Sequence, residues 1–161
     1  MNANSTNEGG VNNTYRFLKN IMGMWLFQNI RKKLDKKYKY DEMMYMAMKS
    51  NFTETFDPND QRLVAPSNMI ESIRDCLNSP ELPIVDVTNS VYHSLAESYA
   101  EVVADIEKIT GEKVDSFTIV GGGSKDKYLN SLTEKYTGKP VLTGTSEATA
   151  LGNLKTQLSV I

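Results

Sequence analysis

Cysteine, histidine and tryptophan each occur once in the 161 residues. A lone cysteine, Cys76, closes no intrachain disulfide, which points to a reducing, cytoplasmic compartment. The one histidine, His93, has no partner acid or nucleophile that would make a Ser-His-Asp arrangement, and no Cys or His ligands pair for a metal. No apolar run approaches the roughly 20 residues that a membrane helix needs, and the polar N-terminus does not read as a signal peptide. Neither sign of charge dominates: 18 basic against 20 acidic side chains leave a net charge of −2. Nothing in that balance suggests nucleic acid or an anionic membrane as the main partner, and neither is expected. No segment repeats. The length suits one domain with a core and is short for two.

What is present is organised around residues 117–158. Phe117, Ile119 and Val120 form a short β-branched and aromatic run that predicts a buried strand. Three glycines follow at 121–123, with Ser124 as the expected N-cap of a helix whose stripe is Leu129 and Leu132 and whose end is Gly138. A second strand over 140–143 leads through Gly144, Thr145 and Ser146 into a second helix. Glu147 sits in its first turn, where the helix dipole favours a carboxylate. Ala148, Ala150 and Gly152 would let that helix lie close against a neighbour.

Glycines between a strand and a helix start allow close backbone approach to a flat base or a phosphate. The same pattern also serves as a tight turn with no ligand. GGGSKD is neither G-x-G-x-x-G nor a P-loop, so the spacing supports a nucleotide site without naming one.

Elsewhere, residues 1–12 are Asn-, Ser- and Gly-rich and predict a loop, followed by one domain over 13–161. Apolar residues at Ile21, Met24 or Trp25, Phe27, Ile30 and Leu34 predict a helix over 18–34, its basic end at residues 31–37 solvated. Asn20 and Gln28, eight apart, would then fall near one face of it, either as surface amides or as ligands. A methionine-rich helix over 41–49 with Asp41 as N-cap, an extended run over 52–59 and a helix over 66–76 come next. Asp57 and Asp60 read as turn residues rather than as a metal cluster with Glu54. Cys76 has no positive group placed beside it and reads as packing. Val87, Val91, Leu95, Tyr99, Val102, Ile106 and Ile109 mark a long helix capped by Asp86 or Thr88 and ended by Gly111. His93 lies two residues from the Val91 and Leu95 stripe and is expected on the surface. Helix and strand alternate in the second half, giving an α/β class with three strands, one near Val64 or earlier, then Thr118 and Val141.

IVGGGSKDKYLN at 119–130 and TGKPVLTGTSEATALGN at 137–153 resemble the C-terminal signature of the FGGY carbohydrate kinases. TNEGG at 6–10, YRFLKNIMGMWLFQ at 15–28 and FDPNDQRLVAPSNM at 56–69 are similar to one branch of that family, the rhamnulokinases. The resemblance spans nearly the whole chain and implies the second, ribonuclease H-like (actin-like ATPase) domain of such a kinase. By the same resemblance the chain starts inside that domain, with the N-terminal domain and the first strands missing upstream.

It further implies ATP with Mg²⁺ as cofactors and L-rhamnulose as the sugar, phosphorylated on its 1-hydroxyl. The glycines Gly121, Gly122 and Gly123 and the amide of Gln28 would contact ATP, and Asn20 would reach the sugar. No catalytic or metal-binding residue falls in this span, so the span alone is expected to be inactive. The family often carries an amide side chain where Lys125 and Asp126 stand. The alternatives are a non-catalytic nucleotide-binding or interaction module, or a kinase for another sugar such as L-fuculose or D-xylulose.

Overall fold

The computed structural model describes residues 5–10, 13–145 and 147–158. The chain opens on an antiparallel hairpin, β1 (Ser5–Gly9) and β2 (Tyr15–Lys19), with Ser5 opposite Lys19 and Gly9 opposite Tyr15. Residues 5–9 are therefore strand, where the sequence predicts loop, and residues 1–4, 11 and 12 lie outside the described residues. Nor does a helix run from residue 18. Gly23 stands at φ 59, a left-handed value that an α-helix cannot contain, so α1 begins after it and spans Trp25–Lys33. Its buried face is Leu26, Phe27 and Ile30, and Arg31, Lys32 and Lys33 complete its last turn as expected.

Helix α2 spans Tyr40–Ala47. The Lys39 N–H donates to Glu42 Oε2 at 2.7 Å, so the helix starts one residue before the expected Asp41 cap. Of its methionines, Met43 and Met44 are buried and Met46 is exposed. A single 3-10 turn, Gln61–Leu63, follows the Asp57-Pro58-Asn59 bend. Asp57 Oδ1 accepts from Asn59 N at 2.8 Å and Asp60 Oδ1 from Arg62 N at 2.8 Å, the turn chemistry expected of both. No strand forms near Val64, which ends this turn and is exposed. Helix α3, Met69–Cys76, is capped by Asn68, whose Oδ1 accepts from Ile70 N at 3.2 Å.

The core is built around α4, Ile84–Thr110, which ends at Gly111 in the left-handed region with φ 73. Every residue from 87 to 96 is buried, so this part of α4 is enclosed on all sides rather than along one stripe, while Glu101, Ala104 and Asp105 further along are exposed. Its polar side chains serve the extended segment before it. Asn89 Nδ2 donates to Phe52 O at 2.8 Å, Ser90 Oγ to Glu54 O at 2.6 Å, and Ser94 Oγ accepts from Phe56 N at 3.0 Å. A segment without a sheet partner thus has backbone groups satisfied by one helix.

A β-α-β unit completes the fold. Strand β3 (Phe117–Ile119) pairs in parallel with β4 (Val141–Thr143), and α5 (Lys127–Thr137), between them in sequence, packs along α4. Gly138, at φ 66, closes α5 as expected. Helix α6 covers Ala148–Leu158. Ala150 and Gly152 are exposed, and a Cβ at Gly152 would meet nothing within 4 Å. The expected close neighbour is absent among the described residues. The side chain of Ala148 is not among those described.

Candidate functional site

The turn after β3 is held from both sides. Gly121 takes φ 75 with ψ −158, a conformation open in practice only to glycine. Its N–H donates to Thr145 O at 3.2 Å, and Gly144 N donates to Ile119 O at 2.8 Å, tying the turn to the loop beyond β4. Ser146 of that loop lies outside the described residues. Gly122–Lys125 forms a short 3-10 helix, steadied by Ser124 Oγ donating to Gly121 O at 2.7 Å.

Ser124 is therefore not the cap of α5. That role belongs to Asp126, whose Oδ1 accepts from Tyr128 N at 3.1 Å and Leu129 N at 3.0 Å. A 3-10 turn placed before the helix moves the cap two residues along.

Added Cβ atoms at Gly121 and Gly122 would meet nothing within 4 Å, and one at Gly123 only the Ile119 side chain at 3.8 Å. The backbone of the turn is thus open to a flat ligand, and the opening N–H groups of a helical turn lack acceptors within it. Beside the turn lies an apolar cavity of about 480 Å³, lined by Gly123, by β3, by Ile21 and Met24, and by Tyr99 and Ile106 of α4.

Gln28 is exposed on α1, and Asn20 is exposed in the link between β2 and α1. Because α1 starts at Trp25, the two do not share a helix face, contrary to the spacing argument. Neither of them lines this cavity. A second, polar cavity of about 500 Å³ adjoins the end of β2, with Lys19, Asp57, Glu97 and Glu101 in its wall.

Two buried groups escaped the sequence reading. His93 is 4% exposed, not a surface residue, because α4 is covered on the face off its apolar stripe as well. Burial, with Lys135 nearby, holds its imidazole below the ordinary histidine value. Asp126 is 3% exposed, and its Oδ2 accepts from Tyr40 Oη at 2.6 Å and Tyr92 Oη at 3.0 Å. Burial, and next the Asp126 carboxylate, push the Tyr40 phenol far above its ordinary range, and Tyr92 is raised likewise. A lone Asp after glycines carries no signal of this, because its partners come from 34 and 86 positions away. Cys76 is half-buried and its thiol is raised chiefly by burial, in keeping with packing, although Arg62 does lie near enough to oppose that shift.

Among the described residues no group of three His, Cys, Asp or Glu side chains could hold a metal ion. Among them, too, no helix is long and apolar enough to cross a membrane.

The model of the FGGY family of carbohydrate kinases, C-terminal domain, matches residues 1–159. The chain belongs to that family. A rhamnulokinase of Halalkalibacterium halodurans is 43% identical over 162 residues, covering 98% of this chain and 34% of its own length. Rhamnulokinases of Oceanobacillus iheyensis and Bacillus subtilis are 39% and 38% identical, covering 100% and 96% of this chain and 35% and 33% of their own lengths. The chain spans about a third of the length of these relatives. The mixed helices and strands agree with an α/β C-terminal FGGY domain, its glycine turn formed by the residues that carry the family resemblance.

Proposed function

We propose that this FGGY domain is the nucleotide-binding C-terminal portion of a rhamnulokinase-type sugar kinase. Gly121, Gly122 and Gly123 form the wall against which the adenosine of ATP or ADP lies, Gln28 supplies an amide to the nucleotide, and Asn20 reaches toward the sugar. The observation that carries this reading is the open glycine turn at the end of β3, free of overlying side chains at Gly121 and Gly122. Its fold is that of a ribonuclease H-like, actin-like ATPase domain. The two separate two-stranded sheets among the described residues support the view that this sheet is incomplete, since a two-stranded sheet is marginal on its own.

The reaction of the whole kinase is transfer of the ATP γ-phosphoryl group to the 1-hydroxyl of L-rhamnulose, giving ADP and L-rhamnulose 1-phosphate. Such a transfer needs a positioned hydroxyl, a base for its proton, and Mg²⁺ or donors for the phosphate charge. We assign the base and the metal contacts to the portion of the kinase beyond this chain, together with most of the sugar pocket. A cytoplasmic location goes with that role.

Calorimetry on the 161-residue chain with ADP and with ATP tests the nucleotide wall; absence of binding by both sinks it. A coupled assay tests the division of labour. ADP release that depends on both ATP and L-rhamnulose, from this chain alone, would refute it. The alternative reading is a nucleotide-binding or interaction module without catalysis. Turnover by the longer gene product, compared on L-rhamnulose, L-fuculose and D-xylulose, separates that reading from the kinase and one sugar from another.

A further inference from the structure

The glycine turn is tied at its start to the loop beyond β4 and internally by Ser124, and the glycines bring no side chains to hold its far end. That end is Asp126, whose N–H donates to Gly123 O at 3.1 Å and whose buried carboxylate accepts from both sides. One oxygen accepts the first N–H groups of α5, from Tyr128 and Leu129. The other accepts two phenols, Tyr40 from the start of α2 and Tyr92 from the middle of α4. The phenols are themselves fixed. Phe27 of α1 packs on Tyr40 with ring centroids 4.7 Å apart and edge-on to Tyr92 at 5.5 Å, and Tyr128 tilts against Tyr92 at 4.9 Å. Further along α5, Asn130 Nδ2 donates to Ser124 O at 3.1 Å, a second tie between the helix and the turn.

We infer that Asp126 is a positioning residue for the nucleotide wall: its carboxylate, held by Tyr40 and Tyr92, locks the glycine turn to α2 and α4. Capping α5 alone would need only one oxygen, and an asparagine would serve it as well. The second oxygen is what an amide cannot supply. An Asn that keeps the cap must turn its NH₂ toward the half-buried Tyr40 and buried Tyr92 hydroxyls, which already donate and so lose their carboxylate acceptor. This accounts for a carboxylate where an amide would cap equally well. The inference rests on the nucleotide reading above only for its consequence on binding; the locking of the turn stands apart from it.

Asp126→Asn therefore separates the two roles, since it preserves the cap and breaks the tie to the tyrosines. Amide hydrogen exchange on the 161-residue chain is measured alongside ADP affinity. In this variant the backbone amides of Gly121, Ser124 and position 126 are expected to lose protection about tenfold while those of residues 87–96 keep theirs. ADP affinity is expected to fall by about tenfold as well. Unchanged protection of the turn overturns the inference, and so does an equal loss across α4, which would make Asp126 a general brace. Should wild-type chain bind no ADP, the nucleotide reading fails and the exchange data still decide the locking. Tyr92→Phe leaves carboxylate and cap intact. It is expected to give the same local loss to a smaller degree, and it decides the question if the Asn variant does not fold.

Discussion

His93 Nδ1 and Tyr136 Oη lie 2.7 Å apart across the α4–α5 interface, with the two rings edge-on at 67°. The contact joins the buried middle of α4 to the last turn of α5 and so fixes the helix that follows the glycine turn. Its chemistry makes stability depend on pH. Because burial first and Lys135 second lower the folded pKa of His93 beneath 6.5, the unfolded chain binds the proton more readily. Stability is therefore full above about 6.5 and falls as pH drops from there toward the folded pKa. Urea unfolding from about pH 7.5 to about pH 5.5 should show this decline, with a slope of at most about 1.4 kcal/mol per pH unit from this group. His93→Gln should flatten it.

Gly121 and Gly122 are neighbours that should respond in opposite ways to alanine. At φ 75, Gly121 holds a backbone that an L side chain resists, so Gly121→Ala should destabilise by ~1–3 kcal/mol in denaturant titration. Gly122 has ordinary φ and open space where a Cβ would stand. Gly122→Ala should change stability by no more than about 0.5 kcal/mol yet weaken ADP binding in calorimetry, because the new methyl occupies the face assigned to the nucleotide.

Ser94 is buried in α4 and accepts the Phe56 N–H at 3.0 Å. Ser94→Ala fits the space but leaves that backbone donor without its partner. The expected loss is ~1–3 kcal/mol, larger than a surface Ser→Ala change, and would be read from the thermal or urea midpoint.

Leu151, Leu154 and Leu158 of α6 are all exposed and lie three and four residues apart, on one side of the helix. Replacing one should matter little to this chain. Leu154→Glu should shift stability by less than about 0.5 kcal/mol, whereas Leu95→Ala in the buried run of α4 should cost ~2–5 kcal/mol. A large effect at Leu154 would mean that α6 is packed in solution.

The family of this protein follows from the resemblance of whole motifs. The β3-α5-β4 unit and the long α4 follow from the order of residues alone, because each rests on local signals: a β-branched run, a helical stripe, a glycine at a left-handed stop. The open glycine turn is of the same kind. Local pattern failed where two signals competed. Ile21, Met24 and Phe27 suit a helix, but Gly23 at positive φ ends that possibility, and the β1–β2 hairpin takes the residues before it. Tertiary structure alone decided the environments of His93 and Asp126. The stretch of α4 around His93 is enclosed on every side and has no surface face, and a carboxylate's partners on α2 and α4 stand far off in sequence, so only the packing of α4 against its neighbours could bury the one and tether the other.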